Sequence, residues 1–317
     1  NAYIAGNVTI DTTGDVSVGA ELQDRVTSRA QAQDTSVTLF SVGVVEVYAV
    51  LVDDRVSAYI AGNANVKGLN VDVIAIADGT ATAIAEQPNT SVSGVRDDLV
   101  YAEAKATYRE VTSYIGSDAK VVSTGSGPQD GVQVAASSIT RLDAYSNHNT
   151  NVSLVGVGRY VIKTTVGDHI TAARIDGKVQ SQNGISLTAE DSITASATTT
   201  ARNAGAATAG RSEATSIVNQ QKSQALVGAG AVLEALGDIN ILAQTTSELT
   251  ASVNSSSVAL GDFGAIYAAT ELQNRTTSCK AGDGARIVSR YGDVNISVLA
   301  ATAKQNASTT MGGYGVY

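Results

Sequence analysis

A right-handed parallel β-helix, an all-β solenoid, is the fold this sequence predicts. Three observations carry the prediction. The chain repeats about every 55 residues, each repeat alternates with period two, and only 2 of its 317 residues are proline.

The repeat is read first, because a fixed period identifies stacked architectures. An acidic, amide or glycine residue leads into β-branched residues alternating with small ones. The copies begin at Gly14-Asp15-Val16-Ser17-Val18, Leu69-Asn70-Val71-Asp72-Val73 and Asp130-Gly131-Val132-Gln133-Val134. They continue at Asn183-Gly184-Ile185-Ser186-Leu187, Gly237-Asp238-Ile239-Asn240-Ile241 and Gly292-Asp293-Val294-Asn295-Ile296. The first β-branched positions are 16, 71, 132, 185, 239 and 294, spaced by 55, 61, 53, 54 and 55. A second block keeps this period. Ala2-Tyr3-Ile4-Ala5-Gly6-Asn7 returns unchanged at Ala58–Asn63, Tyr114-Ile115-Gly116 is a third copy and Ile175-Asp176-Gly177 a weaker fourth.

A half-period is visible too. Asp24-Arg25-Val26-Thr27 resembles Asp54-Arg55-Val56-Ser57, and Glu21–Arg25 resembles Glu271–Arg275 about four and a half periods later. This predicts two coils per repeat. At ~4.8 Å per coil, about 11–12 coils make a rod on the order of 55 Å long.

Inside a repeat the elements read as strands. Val16-Ser17-Val18 and Val71–Ala75 have the alternation or β-branched runs of half-buried strands. Val42–Val52 is long, apolar and β-branched, as a strand packed on both faces is. Gly-Asp, Asn-Gly and Gly-Asn pairs punctuate the segments and suit turns that need positive φ. The Ala-rich stretch Ala195–Ala209 contains Thr198-Thr199-Thr200 and Gly205, which weaken it as a helix. Proline cannot donate to a strand ladder, so a chain built almost wholly of paired strands avoids it.

Composition excludes several classes. Apolar residues make up 43% and the net charge is −9, which is not the profile of a disordered chain. No apolar run is long enough for a membrane-spanning helix. A pI of 4.7 without a Lys/Arg run argues against nucleic-acid binding. Cys279 is the single cysteine, so no disulfide forms within the chain. Aromatics are 4%, with no Trp, which points to thin layers of small and β-branched residues. The chain starts at Asn1 without a signal-peptide pattern and is expected to be one continuous solenoid over 1–317, a slice of a much longer protein.

These residues resemble the repeat region of large bacterial filamentous haemagglutinin-like adhesins, including the leukotoxin-type filamentous adhesins. The match runs through Val42-Gly43-Val44-Val45, Asp53–Ser57, Ala58–Asn63 and Asn70–Val73. It covers most of the chain at repeat level, best over units near 2–113 and worst around 172–223. The resemblance implies a parallel β-helix on a secreted or cell-surface protein.

Candidate chemistry is weighed against plain structural roles. Gly205–Ser212 has P-loop spacing, but with Arg211 in the lysine position and repeat sequence around it. Asp53-Asp54, Asp97-Asp98, Asp15, Asp238 and Asp293 offer carboxylates for glycoside chemistry or calcium. Their recurrence at one phase reads more simply as turn chemistry. His148 and His169 stand in polar contexts that read as surface or turn positions, and Cys279 falls at the phase of Ala58 and Tyr59, as a small core residue does. Asn7, Asn89, Asn151, Asn254, Asn295 and Asn306 begin Asn-x-Ser/Thr triplets, frequent by chance in so Ser/Thr-rich a chain. Arg25, Arg55, Lys222 and Arg275 lie at related phases and read as a solubilising charged face, with an anionic-glycan ladder as the functional alternative.

The expectation is therefore a structural and adhesive segment of a secreted or cell-surface bacterial fibre, not an enzyme. It is a stiff stalk, with no catalytic, cofactor-binding or metal residue and no cofactor. Its expected partners are a host or neighbouring cell surface, glycans or matrix, and neighbouring repeats or further copies through the solenoid ends, with no nucleic acid and no transmembrane segment. Alternatives are a self-assembling filament or sheath subunit, a carbohydrate-active β-helix whose site would break the repeat near 141–176, and, for the fold alone, a transmembrane β-barrel.

Overall fold

The computed structural model describes residues 1–31, 37–87, 92–127, 130–148, 151–301 and 303–315. Eighteen strands follow one another, and every ladder among the described residues is parallel. The chain enters at β1 (Ala2–Ile4) and β2 (Thr9–Asp11), then runs out along β3 (Val16–Gln31) and back along β4 (Val37–Leu51) and β5 (Asp54–Ile60). The next coils are β6 (Asn65–Gly68), β7 (Val71–Gln87) and β8 (Val92–Ile115), then β9 (Lys120–Ser123), β10 (Gly131–His148) and β11 (Asn151–Ile175). After β12 (Lys178–Ser181), β13 (Gly184–Val227) carries both arms without a break, as does β15 (Ile239–Ala281) after β14 (Val232–Ala235). The chain then forms β16 (Arg286–Ser289), β17 (Val294–Ala300) and β18 (Lys304–Gly315).

Each coil thus has three sides: a long outbound arm, a long return arm and a short side of three or four residues. The short sides form their own six-stranded sheet. The register confirms the sequence repeat residue by residue. Val16, Val71, Val132, Ile185, Ile239 and Val294 stack in one column. Ala2-Tyr3-Ile4 pairs with Ala58-Tyr59-Ile60, which pairs with Ser113-Tyr114-Ile115, and Ile115 pairs with Ile175.

The expected parallel β-solenoid is what the chain forms, but the coil is twice the expected size. Hydrogen-bonded neighbours lie one full repeat apart, so each repeat is one coil. The half-period is the pairing of outbound with return arm across that coil, not a second coil. Six stacked rungs span about 24 Å, while a 17-residue arm such as β7 is about 55 Å long. The body is broader than it is tall. The uniformly parallel ladders also differ from the antiparallel strands of outer-membrane barrels.

Side chains alternate along the arms, without a break in β7. Val71, Val73, Ala75 and Ala77 face inward at the base, where they meet Val111, Ile115, Val66 and Val121 in the larger apolar core. Further out, Ala81, Ala83 and Ala85 meet Ala102, Ala104 and Ala106 in a second core. Alanine on both arms leaves room for only a thin layer between them, which accounts for the scarcity of aromatic residues. The loop after β9 absorbs the one long spacing in the sequence.

The return arm carries a bulge in each coil. Two consecutive residues turn outward at Val52-Asp53, Thr107-Tyr108, Gly167-Asp168, Asn219-Gln220 and Gln273-Asn274. The first of each pair is skipped by the ladder in the later coils, where Val166 pairs with Ala106 and Val218 and pairing resumes at Asp168. One extra residue reverses which side chains point inward.

Candidate functional site

The residue just after each bulge points into the coil, and all five are polar: Asp54, Arg109, His169, Gln221 and Arg275. They form a seam between the two apolar cores. Opposite them on the outbound arm lie Asp24, Gly79, Thr140, Ile193 and Ser247, and one step toward the base Ser138, Asp191 and Thr245.

Arg109 is the centre of the seam, 1% exposed. Its Nη2 donates to Asp54 Oδ2 at 2.6 Å, and its Nη1 donates across the coil to Ile139 O at 2.8 Å and Thr140 Oγ1 at 3.1 Å. A Cβ on Gly79 would sit 2.1 Å from Nη2, so glycine there admits the guanidinium. His169 Nδ1 lies 3.5 Å from Thr140 Oγ1. Burial first, and the charge of Arg109 second, lower the His169 pKa to about 3. Gln221 donates to Asp191 O and Thr246 O and accepts from Ser247 Oγ at 2.5 Å, while Arg275 donates to Thr245 Oγ1 and O. Asp191 is 2% exposed, with the Ser138 hydroxyl and the Gln221 amide facing its carboxyl. Burial raises its pKa to about 7, offset in part by Ser138, Gln221, Arg109 and Arg275. Such a carboxyl is largely protonated below neutrality.

A second buried cluster lies nearer the tip. Arg96 Nε donates to Asp98 Oδ2 at 2.5 Å, His148 Nε2 lies 3.7 Å from the same oxygen, and the His148 and Tyr160 rings are 4.9 Å apart. Gly43, Asp98, Gly158, Gly210 and Gly264 occupy one column, so four glycines frame one aspartate. Burial, then Arg96, lowers the His148 pKa to about 3. The second cluster is buried, and so is the middle of the seam, while Asp24 and Arg275 at the seam's two ends are partly exposed. Their chemistry is internal neutralisation of charge between coils and across them.

The surface carries ladders instead. Tyr3, Tyr59 and Tyr114 stack ring on ring at 5.2 and 4.7 Å, and Arg55 lies over the Tyr108 ring at 5.3 Å. Toward the tip, Val37, Val92, Val152 and Val258 share a column and are all exposed, with Leu39, Phe40, Leu154, Leu260 and Phe263 beside them. At the base corner an open polar cleft of about 370 Å³ is lined by Asn70, Asp72, Gln133, Ser186, Asp238 and Asn240, among others.

The sequence-predicted positions divide clearly. Asp15, Asp238 and Asp293 are exposed at the corner, consistent with turn chemistry. Asp54 and Asp98 are not turn residues. Each is buried in an ion pair, with Arg109 and Arg96, while Asp53 is exposed with φ 40° and Asp97 is exposed. The histidines correct their expected surface placement: His148 is 1% and His169 0% exposed. Cys279 stacks in the column of Ala58, Ser113, Ala173 and Ala225 and packs against the larger core, as its phase implies. The charged face does not form. Arg55 and Lys222 share a column, Arg25 stands on the other arm, and Arg275 points inward to Thr245. Gly205–Ser212 lies inside β13 with no helix after it. Asn7 and Asn295 join amide pairs with Asn63 and Asn240, and Asn89 lies outside the described residues. Among the described residues no group of three or more His, Cys, Asp or Glu is arranged to hold a metal ion, and no helix is long and apolar enough to cross a membrane.

Sequence reading missed the seam. The signal was present: the half-period places Asp24 opposite Asp54, where burial first and then Asp54 itself raise the Asp24 pKa. No family model, curated protein or solved structure matches this chain.

Proposed function

We propose that this chain is a structural and adhesive segment of a large secreted or cell-surface bacterial fibre, of the filamentous haemagglutinin-like kind its repeats resemble. The observation that carries the reading is the unbroken parallel register, in which every coil is hydrogen-bonded to the next along both arms and the short side. Such a stack resists extension along its axis because many ladder bonds are loaded together. The broad coil exposes long faces, and the apolar and tyrosine ladders on them supply contact area toward cells, glycans or matrix. The charged residues at the centres of the polar clusters, Arg96, Asp98, Arg109, His148 and His169, are buried, which favours this reading over a carbohydrate-active enzyme.

The test is topological. Antibodies against the purified chain are applied to intact and permeabilised producing cells, before and after protease shaving. Labelling of intact cells that shaving removes is the expected result. Labelling only after permeabilisation overturns the proposal.

A second reading rests on one further observation. Among the described residues the arms and short sides of successive coils stack in one constant parallel register. A stack of that kind extends equally through a coil of another chain, since a strand edge pairs with any matching edge. In this reading the chain is a filament or sheath subunit, and sedimentation of the purified chain across a concentration series distinguishes growing oligomers from a constant monomer.

A further inference from the structure

The base-corner cleft exists because the ladder around it is interrupted. The column preceding the first β-branched residue reads Asp15, Asn70, Gly131, Gly184, Asp238, Asp293. Two successive glycines remove two side chains from a polar ladder, leaving a gap two coils high between Asn70 and Asp238. Glycine is required at the first of them: Gly131 has φ +145°, and a Cβ there would meet Gly184 O at 2.5 Å. The gap is about 370 Å³, within the usual ligand-site range of ~300–1,000 Å³.

The lining has a definite chemistry. Planar amides and carboxylates from adjacent coils, Asp72, Gln133, Asp238 and Asn240, stand around Ser186, with Val132 and Ile185 as the apolar part. Several of their bonding positions are already satisfied. Asn70 donates to Asp72 Oδ2 and Asp238 Oδ1 accepts from the Asp293 N–H, while Asn240 Oδ1 accepts from Asn295. That leaves the second oxygens of Asp72 and Asp238, the Asn240 N–H groups and the Gln133 amide for a ligand. No lysine or arginine lines the cleft, and three carboxylates do. An anionic ligand is therefore repelled. A group bearing several hydroxyls, each both donor and acceptor, can bond side chains on successive rows about 4.8 Å apart.

We infer that the base-corner cleft is a binding subsite for a neutral saccharide unit, held by Asp72, Gln133, Asp238 and Asn240 across successive coils. It extends the contact role proposed above and rests on that reading for its biological use. The two fail separately, because the binding assay needs only the purified chain and the labelling experiment needs only its location.

The experiment titrates the purified chain with cellotetraose, maltotetraose, tetragalacturonate and spermine, by calorimetry and by NMR shifts of the cleft amides. Saturable binding of at least one neutral tetramer is expected, with at least tenfold weaker binding of tetragalacturonate. Ser186→Tyr, which fills the cleft from a half-exposed position, is expected to abolish that binding with the melting temperature unchanged, and Asn240→Ala to weaken it at least fivefold. The inference is overturned if neither neutral tetramer binds, if tetragalacturonate binds as well, or if spermine alone binds, which would make the cleft only an acidic patch. Binding that survives in the folded Ser186→Tyr protein overturns it too.

Discussion

At the scale of single residues, the buried charges decide how this chain stacks. Arg109 and Asp54 neutralise each other on adjacent coils. Removing one partner leaves a buried uncompensated charge, at a typical cost of about 3–5 kcal/mol. Arg109→Met is expected to lose stability on that scale in urea denaturation, and the double change Arg109→Met with Asp54→Leu to recover most of it. A double variant as unstable as the single one would show that the pair is not the reason. Asp191 gives a test by pH. Its folded pKa of about 7 lies above the ordinary 3.8, so between these values the unfolded chain ionises while the folded chain keeps its proton. Stability from this group is full below about pH 4 and is lost as pH rises through 7, by roughly 4 kcal/mol for a shift of this size. The histidines act in the opposite sense, with folded values of about 3 against 6.5, so their contribution is full above pH 6.5 and is lost as pH falls toward 3. Asp191→Asn removes only the first effect. Its melting temperature should match the parent near pH 4, exceed it increasingly up to pH 7 and hold a constant excess beyond. A pH-independent difference would sink the assignment. None of these partners was legible from polarity alone, because His148 and His169 each follow directly on an outward-facing polar residue, Asn147 and Asp168.

At the scale of the element, the bulge is the device that puts those residues inside. From Arg96 to Ala106, even-numbered residues of β8 face the core; after Thr107-Tyr108, Arg109, Val111, Ser113 and Ile115 do. Deleting Thr107 only restores plain alternation, from inward Ala106 through outward Tyr108 to inward Arg109, and keeps both faces. Deleting Thr112, inside the regular stretch, turns Ser113 and Ile115 outward and sends Tyr114 into the base core. The expected result of the Thr112 deletion is loss of cooperative unfolding and of amide protection in β8 and its neighbours. Deletion of Ser126, exposed in the loop after β9, is the control and should leave the melt nearly unchanged. Equal tolerance of the Thr112 and Ser126 deletions would show that the alternation does not matter. Strand identity was readable for Val71–Ala75 because the stretch alternates and then runs β-branched. The bulge was not, since a single extra residue leaves the apolar pattern on either side intact and carries no fixed residue type: Val52, Thr107, Gly167, Asn219 and Gln273 all hold the place.

At the scale of the whole molecule, one coil per repeat changes what the protein is mechanically. Six rungs advance about 24 Å, so each residue adds little length and much lateral face. A protein of this geometry is better suited to presenting wide ladders than to reaching far. The period was legible because identical blocks stack on identical blocks, Ala2-Tyr3-Ile4 on Ala58-Tyr59-Ile60. The coil count was not, because facing arms and stacked coils leave the same trace in a sequence. Deletion separates them. Removing residues 185–238 takes out one repeat and joins Gly184 to Ile239, whose column partner Ile185 it replaces. The shortened chain should fold with the same strand content by circular dichroism and lose about 4.8 Å along the axis in solution scattering. Removing only residues 212–238 deletes the larger part of a return arm and its short side, leaving most of the outbound half of that coil with nothing to close against, and should unfold the C-terminal coils. If the half-repeat deletion folds as well as the full one, the coil is half the size described and the seam between its two arms does not exist.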